Sequence, residues 1–325
     1  MARYLVTGGG GFIGSHIVET LLGDGETVRV LDDFSTGFRH NLEFGSARGQ
    51  AMPGEMEILE GDIRSAVVVG KACVGIEFVL HQAALSSVPR SLKDPLSTHQ
   101  VNASGTLNLL IAARDAGVRR FVYASSSSVY GENPELPKRE SMTPQPLSPY
   151  AASKLAAEHY CRIFHRIFGL ETIALRYFNI FGPRQDPNSP YAAVIPRFLD
   201  ALLAGRPPVI YGDGRQSRDF TFVENAVHAN LQACRAPAAA AGEAFNIAGG
   251  NQKDLLWLAD VLSRQLNRKL SPVHEDPRAG DVRHSRADIT RAEQALGFHT
   301  VVSVEEGLQR TVEWYRGRAT ENPKE

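Results

Sequence analysis

Only three cysteines occur in the 325 residues, Cys73, Cys161 and Cys234. They are widely spaced and odd in number, which excludes a disulfide framework and offers no zinc-type spacing; a reducing, cytoplasmic setting is expected. Charge of one sign is lacking too. There are 35 basic and 36 acidic residues, a formal net charge of −1, so neither nucleic acid nor a membrane surface is an expected partner. No apolar run is long enough to cross a bilayer, and the first one leads straight into a glycine loop, unlike a signal peptide. No internal repeat is present. The ten histidines show no ligand spacing with Cys or acidic residues, so no metal site is expected. His159 and His165 read as helix surface or packed core. A serine hydrolase is disfavoured by the lack of a G-x-S-x-G elbow.

What is present starts at the N-terminus. Arg3-Tyr4-Leu5-Val6-Thr7 reads as a buried strand, Gly8-Gly9-Gly10-Gly11-Phe12-Ile13-Gly14 as a tight loop, and Ser15 to Leu22 as a helix. Glycines spaced as Gly8-x-x-Gly11-x-x-Gly14 let backbone approach a pyrophosphate, and the helix N-terminus offers it N–H groups and partial positive charge. A second strand, Thr27 to Leu31, ends in Asp32-Asp33. An acid there accepts from a ribose 2′-OH and repels a 2′-phosphate, so NAD is favoured over NADP.

Further strands are predicted at Glu57–Glu60, Phe78–His81, Arg120–Ala124 and Thr172–Arg176, with helices near 64–71, 98–116 and 149–168. This alternation implies a parallel sheet covered on both faces. After residue 177 proline and glycine become dense, as in a smaller, loop-rich lobe. Phe245-Asn246-Ile247 returns one strand to the main sheet.

Tyr150 and Lys154 lie four residues apart at the start of a helical stretch, so the phenol and ammonium share a face. A cation near a phenol favours the phenolate and makes it a general base. Alone, such a pair reads equally as helix surface. Ser125-Ser126-Ser127-Ser128 follows the strand ending at Ala124, at the carboxyl edge where ligands bind in open parallel sheets. Alone it is a serine-rich turn. In this order, downstream of a nucleotide loop, a serine hydroxyl can donate to a substrate oxygen while the tyrosinate takes its proton.

These motifs together resemble the extended short-chain dehydrogenase/reductases that act on nucleotide sugars. The resemblance spans about residues 3–316 and includes Gly61-Asp62-Ile63-Arg64, Leu80-His81-Gln82-Ala83-Ala84, Asn102-Ala103-Ser104-Gly105-Thr106, Leu175-Arg176-Tyr177-Phe178-Asn179, Gly212-Asp213-Gly214 and Arg218-Asp219-Phe220. It implies a doubly wound α/β Rossmann sheet over residues 1–176, with 222–248 returning to it. Residues 177–221 and 249–317 would form a smaller α/β substrate-binding lobe, and 318–325 a polar tail. It also implies NAD contacts at Gly8, Gly11, Phe12, Ile13, Gly14, Asp32, Asp33, Phe34, Thr36, Gly37, Asp62, Ile63, Gln82, Ala83, Ala84, Asn102, Ser125, Tyr150, Lys154 and Tyr177.

Within that family, sugar 4,6-dehydratases carry Thr-Asp-Glu where this chain has Ser126-Ser127-Ser128, and the related decarboxylases usually keep Glu at the position of Ser128. The remaining set, Ser126, Tyr150 and Lys154, suits oxidation at carbon 4 and its reversal, as in UDP-hexose 4-epimerases. Tyr150 would take the 4-hydroxyl proton, NAD the hydride, and Ser126 with Ser125 would bond the same oxygen. The keto sugar would then turn and be reduced on its other face. By the same resemblance the UDP-sugar would meet Ser86, Ser126, Ser127, Tyr150, Asn179, Gln185, Ala193, Val194, Tyr211, Arg218, Arg278, Asp281 and Ser285. A large Tyr at the position of Ser285 restricts such enzymes to non-acetylated hexoses, so the small Ser285 implies UDP-GlcNAc/UDP-GalNAc, with UDP-glucose/UDP-galactose as a second pair. Two departures stand out: Asp33 where NAD-selective members often have Asn, and Ser86 where some epimerases have Lys. A homodimer through helices near 94–116 and 149–168 is implied. The alternatives are a UDP-uronate 4-epimerase, its carboxylate met by Arg90, Arg184 or Arg283, another nucleotide-sugar oxidoreductase, and a non-catalytic NAD-binding regulator.

Overall fold

The computed structural model describes residues 3–44, 52–186, 193–276 and 283–321. Six parallel strands, β1 (Arg3–Thr7), β2 (Thr27–Asp32), β3 (Glu55–Glu60), β4 (Phe78–His81), β5 (Arg120–Ser126) and β6 (Glu171–Tyr177), lie in the order β3-β2-β1-β4-β5-β6. A seventh, Glu243–Ile247, adds in parallel beside β6. β4 and β5 are almost wholly buried, apolar runs, as strands covered on both faces must be. The edge strand β3 reads Glu-Met-Glu-Ile-Leu-Glu and is mostly exposed. Its charges blunt the edge against pairing with another chain. The order reverses between β1 and β4, which opens a crevice beyond their carboxyl ends.

Helices cover the sheet between its strands. Helix α1 (Phe12–Gly23) follows the glycine loop, with α2 (Ala66–Cys73) after β3. Between β4 and β5 run α3 (Val88–Lys93), α4 (Pro95–His99) and α5 (Thr106–Asp115). The single helix expected near 98–116 is broken: Gln100–Gly105 forms a π-helical turn between α4 and α5. Such a turn has no period that amphipathic patterning can reveal, and it often marks a functional position. Helix α6 (Pro149–Phe168) starts at Ser148, whose side chain accepts from the Ala151 N–H, with Pro149 in its first turn, and ends at Gly169 in the left-handed conformation. All three are strong helix-boundary signals.

The helix Val223–Arg235 packs against α1 and β5, leading the chain back to the seventh strand. The residues after 177 are less loop-like than their proline content suggests. Helices Val194–Leu203, Leu255–Gln265 and Val304–Glu321 enclose a separate apolar core with Phe181, Phe198, Ile210, Phe222 and Leu258. Short strand pairs rim this lobe; Ser217–Asp219 pairs antiparallel with Gln252–Asp254. Among the described residues no helix is long and apolar enough to cross a membrane.

Candidate active site

A cavity of about 650 Å³ opens at the carboxyl edge of the sheet. Its floor is the glycine loop. Gly8 has φ +69°, and a Cβ there would lie 2.7 Å from the Ala83 nitrogen. A Cβ on Gly14 would collide with the Gly8 carbonyl. Gly11 caps α1 with no side chain of its own, so the first N–H groups of the helix face the cavity. The Asp32 carboxylate accepts the Gly10 N–H on one oxygen and the Phe34 N–H on the other, each at 2.8 Å. Burial pushes its pKa up and the two N–H groups oppose that shift. Asn41, which no sequence motif marks, donates to the Gly10 carbonyl at 2.9 Å and ties the loop to the chain after β2.

Phe12, Ile13, Asp33, Phe34, Thr36, Gly37, Asp62, Ile63, Gln82, Ala83, Ala84, Ser86 and Tyr177 line the same cavity, as do Gln185 and Ala193. Gln82 and Tyr177 are joined by Asn230: Gln82 donates to its amide oxygen at 3.1 Å, and its amide nitrogen donates to the Tyr177 oxygen at 2.6 Å. Asn230 belongs to the helix Val223–Arg235 and has no sequence signal of its own. Asn102 differs from expectation. It is buried outside the cavity, on the π turn, and its amide clamps the Leu85 N–H and carbonyl and the Ser153 hydroxyl. It shapes the cavity wall through Leu85 instead of lining it.

Tyr150, Lys154 and Ser125 reach the cavity from α6 and β5. Burial raises the pKa of Tyr150, and the neighbouring Ser126 hydroxyl opposes that shift more weakly. The expected pull from Lys154 is not the dominant influence. The ammonium donates to the Ala124 carbonyl at 2.8 Å and stands 6.0 Å from the Tyr150 ring centre. Burial pushes Lys154 down to about 7, with Glu158 as the main opposing charge. A buried ammonium so depressed is only partly charged near neutral pH, and it lies one turn of α6 from Tyr150. Ser125 also departs from expectation. It lines the cavity, but its one hydroxyl proton is given to Glu158. The strand alternation of β5 sends adjacent serines to opposite faces.

The other described residues expected at the substrate are not among those lining that cavity. Ser127 and Ser128 begin the short turn after β5, and Ser128 donates to the Ser126 hydroxyl at 2.9 Å. Asn179 donates its amide to the Asp219 carbonyl, and Val194 opens the helix it starts. Tyr211 is contacted by Arg197. Arg218 donates to the carbonyls of Ser217 and Arg283, while the Ser285 N–H donates to the Ser217 carbonyl at 3.0 Å. Arg218 and Ser285 therefore share one corner of the smaller lobe. Arg278 and Asp281 lie outside the described residues. Arg184 and Arg90 line the cavity, whereas Arg283 pairs with Asp213 on the surface.

Residues 4–248 match the NAD dependent epimerase/dehydratase family. The chain belongs to that family. The UDP-glucose 4-epimerase of Mycolicibacterium smegmatis is 39% identical, over 98% of this chain and 99% of that protein. Among solved structures, a UDP-N-acetylglucosamine 4-epimerase from Methanobrevibacter ruminantium, in complex with UDP-N-acetylmuramic acid, aligns with a TM-score of 0.90 at 40% identity, covering 98% of this chain and 99% of that one. A UDP-glucuronic acid 4-epimerase from Bacillus cereus, in complex with UDP-glucuronic acid and NAD, aligns with a TM-score of 0.87 at 30% identity, over 97% and 99%. NAD is the family's cofactor, and this chain's loop fits it. Gly8 and Gly14 have no room for a Cβ, the end of α1 is uncapped, and Asp32 and Asp33 line the cavity at the carboxyl end of β2.

Proposed function

We propose that this enzyme is a UDP-sugar 4-epimerase that interconverts UDP-GlcNAc and UDP-GalNAc, with UDP-glucose and UDP-galactose as a second pair. One observation carries the reading. Tyr150 and Lys154 reach the cavity floored by the glycine loop, and the positions beside Ser126 that would hold an acid and a base for elimination are Ser127 and Ser128. Bound NAD supplies a reversible two-electron acceptor at the carboxyl edge of the sheet. Tyr150, coupled to Lys154, takes the proton from the sugar 4-hydroxyl, and Ser126 holds the same oxygen. Reversal of these steps on the turned keto sugar returns the proton from the same tyrosine. Because the reaction is redox-neutral over a cycle, it needs no external reductant.

Arg218 and Ser285 share one corner of the lobe, which supports a diphosphate grip by the guanidinium and a small wall beside the sugar. Replacing Ser285 by Tyr is the test. Turnover of the acetylated pair should fall selectively while UDP-glucose turnover persists; an equal loss on both pairs would remove Ser285 as the discriminating wall.

A UDP-uronate is the second reading, and Arg184 favours it. Its guanidinium lines the cavity, is ion-paired with Glu19, and leaves one buried nitrogen without a hydrogen bond. We also propose a homodimer through the outer faces of α4–α5 and α6. Leu110 and Phe164 are core, but Leu96, Ile111, Ile163 and Ile167 are exposed on these helices, an apolar surface of the kind that subunit interfaces cover.

A further inference from the structure

Beneath the catalytic set lies a buried ion pair that the proposed chemistry does not use. Glu158 follows Lys154 by one turn of α6, and both are almost completely buried. Arg176 on β6 grips the carboxylate with two nitrogens, at 2.7 Å and 3.0 Å. The same carboxylate accepts the Ser125 hydroxyl, the residue next to Ser126. Arg176 is anchored in turn. It donates to the Tyr130 hydroxyl at 2.9 Å, and Tyr130 donates to Asn246 on the seventh strand at 2.6 Å. A carboxylate taken this far from water and fixed by a bidentate guanidinium has one geometry.

We infer that Glu158 is a positioning residue: anchored by Arg176, it supplies the buried negative charge that faces the Lys154 ammonium and holds the Ser125 end of β5 in register with Tyr150. The inference rests on reading Ser126, Tyr150 and Lys154 as the catalytic set. Lys154 is also faced by Tyr150 and Cys161 on α6, by the Tyr123 ring on β5 at 5.1 Å, and by His81 on β4. His81 is driven to its neutral form by burial, and the Cys161 thiol is pushed well up by it, so neither brings a charge near neutral pH. Glu158 is faced in addition by Arg176 and, behind it, by Tyr130, on which Glu140 also acts. Of these, only Glu158 supplies negative charge directly to Lys154. Burial depresses Lys154, and Glu158 opposes that depression more than any other group.

The sign of the effect makes a test. Glu158→Gln keeps the shape and an acceptor for Arg176 but removes the negative charge and leaves a bare guanidinium. Both changes favour loss of a proton from the Tyr150–Lys154 unit, so its apparent pKa should fall by about one pH unit or more. Arg176→Met removes the compensating cation, and the apparent pKa should rise. The double variant, with neither charge, should lie between them and guards against a single variant that does not fold. Tyr150 titration is read as the phenolate absorbance of each protein minus that of its Tyr150→Phe counterpart, alongside the pH–rate profile. Opposite shifts in the two single variants, with the double between, are expected. No shift, or shifts of the same sign, would overturn the assignment, because a merely structural pair has no reason to reverse sign. If the unaltered protein made no 4-epimer while the phenolate titrations still shifted as described, the epimerase reading would fail and the role of Glu158 would stand.

Discussion

The Lys154 ammonium donates to the Ala124 carbonyl at 2.8 Å and lies 6.0 Å from the centre of the Tyr150 ring, so it is held by β5 and addresses the tyrosine from one side. Tyr150→Phe removes the only hydroxyl on that ring and should lower kcat by about 10²–10⁴-fold, the usual contribution of a positioned base. Lys154→Met should cost a similar factor and leave the Ala124 carbonyl without its donor. NAD content of the purified proteins, measured after denaturation, separates the two. It should persist in Tyr150→Phe, whose phenol is not needed to close the glycine loop.

Gly14→Ala tests the nucleotide floor. Its Cβ would collide with the Gly8 carbonyl, which is held by the Gly11 N–H at 3.0 Å. Bound NAD should be lost and the thermal midpoint lowered. Gly11→Ala meets only the same carbonyl at 3.1 Å and should be much milder. Equal effects of the two changes would argue against this packing account.

His81 is buried between Thr7 and Thr106, bonded at 2.6 Å and 2.8 Å, and burial depresses it to about 3. His16, bonded to the Pro183 carbonyl, is depressed to about 3 as well. The unfolded chain therefore binds more protons at these two groups between pH 6.5 and 3, and stability is lost as pH falls through that window. Each proton corresponds to about 1.4 kcal/mol per pH unit. Asp219, pushed up to about 6 by burial, works in the opposite direction between pH 6 and its unfolded value. His81→Gln should reduce the acid-side slope of unfolding free energy by about one proton, as measured by urea unfolding from pH 4 to 6. An unchanged slope would place its neutral, buried state in error.

The outer face of α6 gives a prediction about assembly. Ile163 and Ile167 are 47% and 71% exposed, on the same face of one helix. Ile163→Asp with Ile167→Asp should shift the mass in solution from dimer to monomer by light scattering, with little loss of fold because neither side chain is core. A dimer that survives both changes would place the interface elsewhere.

The glycine loop, the Asp32 terminus of β2 and the boundaries of α6 were legible because each is local. Glycines, a strand-end acid, and a Ser-Pro start with a Gly stop all act on their own neighbours. The family relationship, read from motifs, agrees with the match over residues 4–248. What was not legible is set by contacts across the sheet. The π turn moves Asn102 from the cavity to a clamp on Leu85. Strand alternation turns Ser125 to Glu158, although the serine run reads as offering Ser125 and Ser126 to the same oxygen. The depression of Lys154 and the raising of Tyr150 follow from burial, a property of the whole packed sheet. Asn41 and Asn230 act on the cavity through partners 31 and 53 or more residues away.

The most direct measurement incubates the purified protein with UDP-GlcNAc, UDP-glucose and UDP-glucuronate in separate reactions, with no added reductant, and resolves each 4-epimer. The account predicts UDP-GalNAc from the first and a slower yield of UDP-galactose from the second, both abolished by Tyr150→Phe. Turnover of UDP-glucuronate alone would replace the acetyl-sugar reading with the uronate one, and no epimer from any of the three would contradict 4-epimerisation itself.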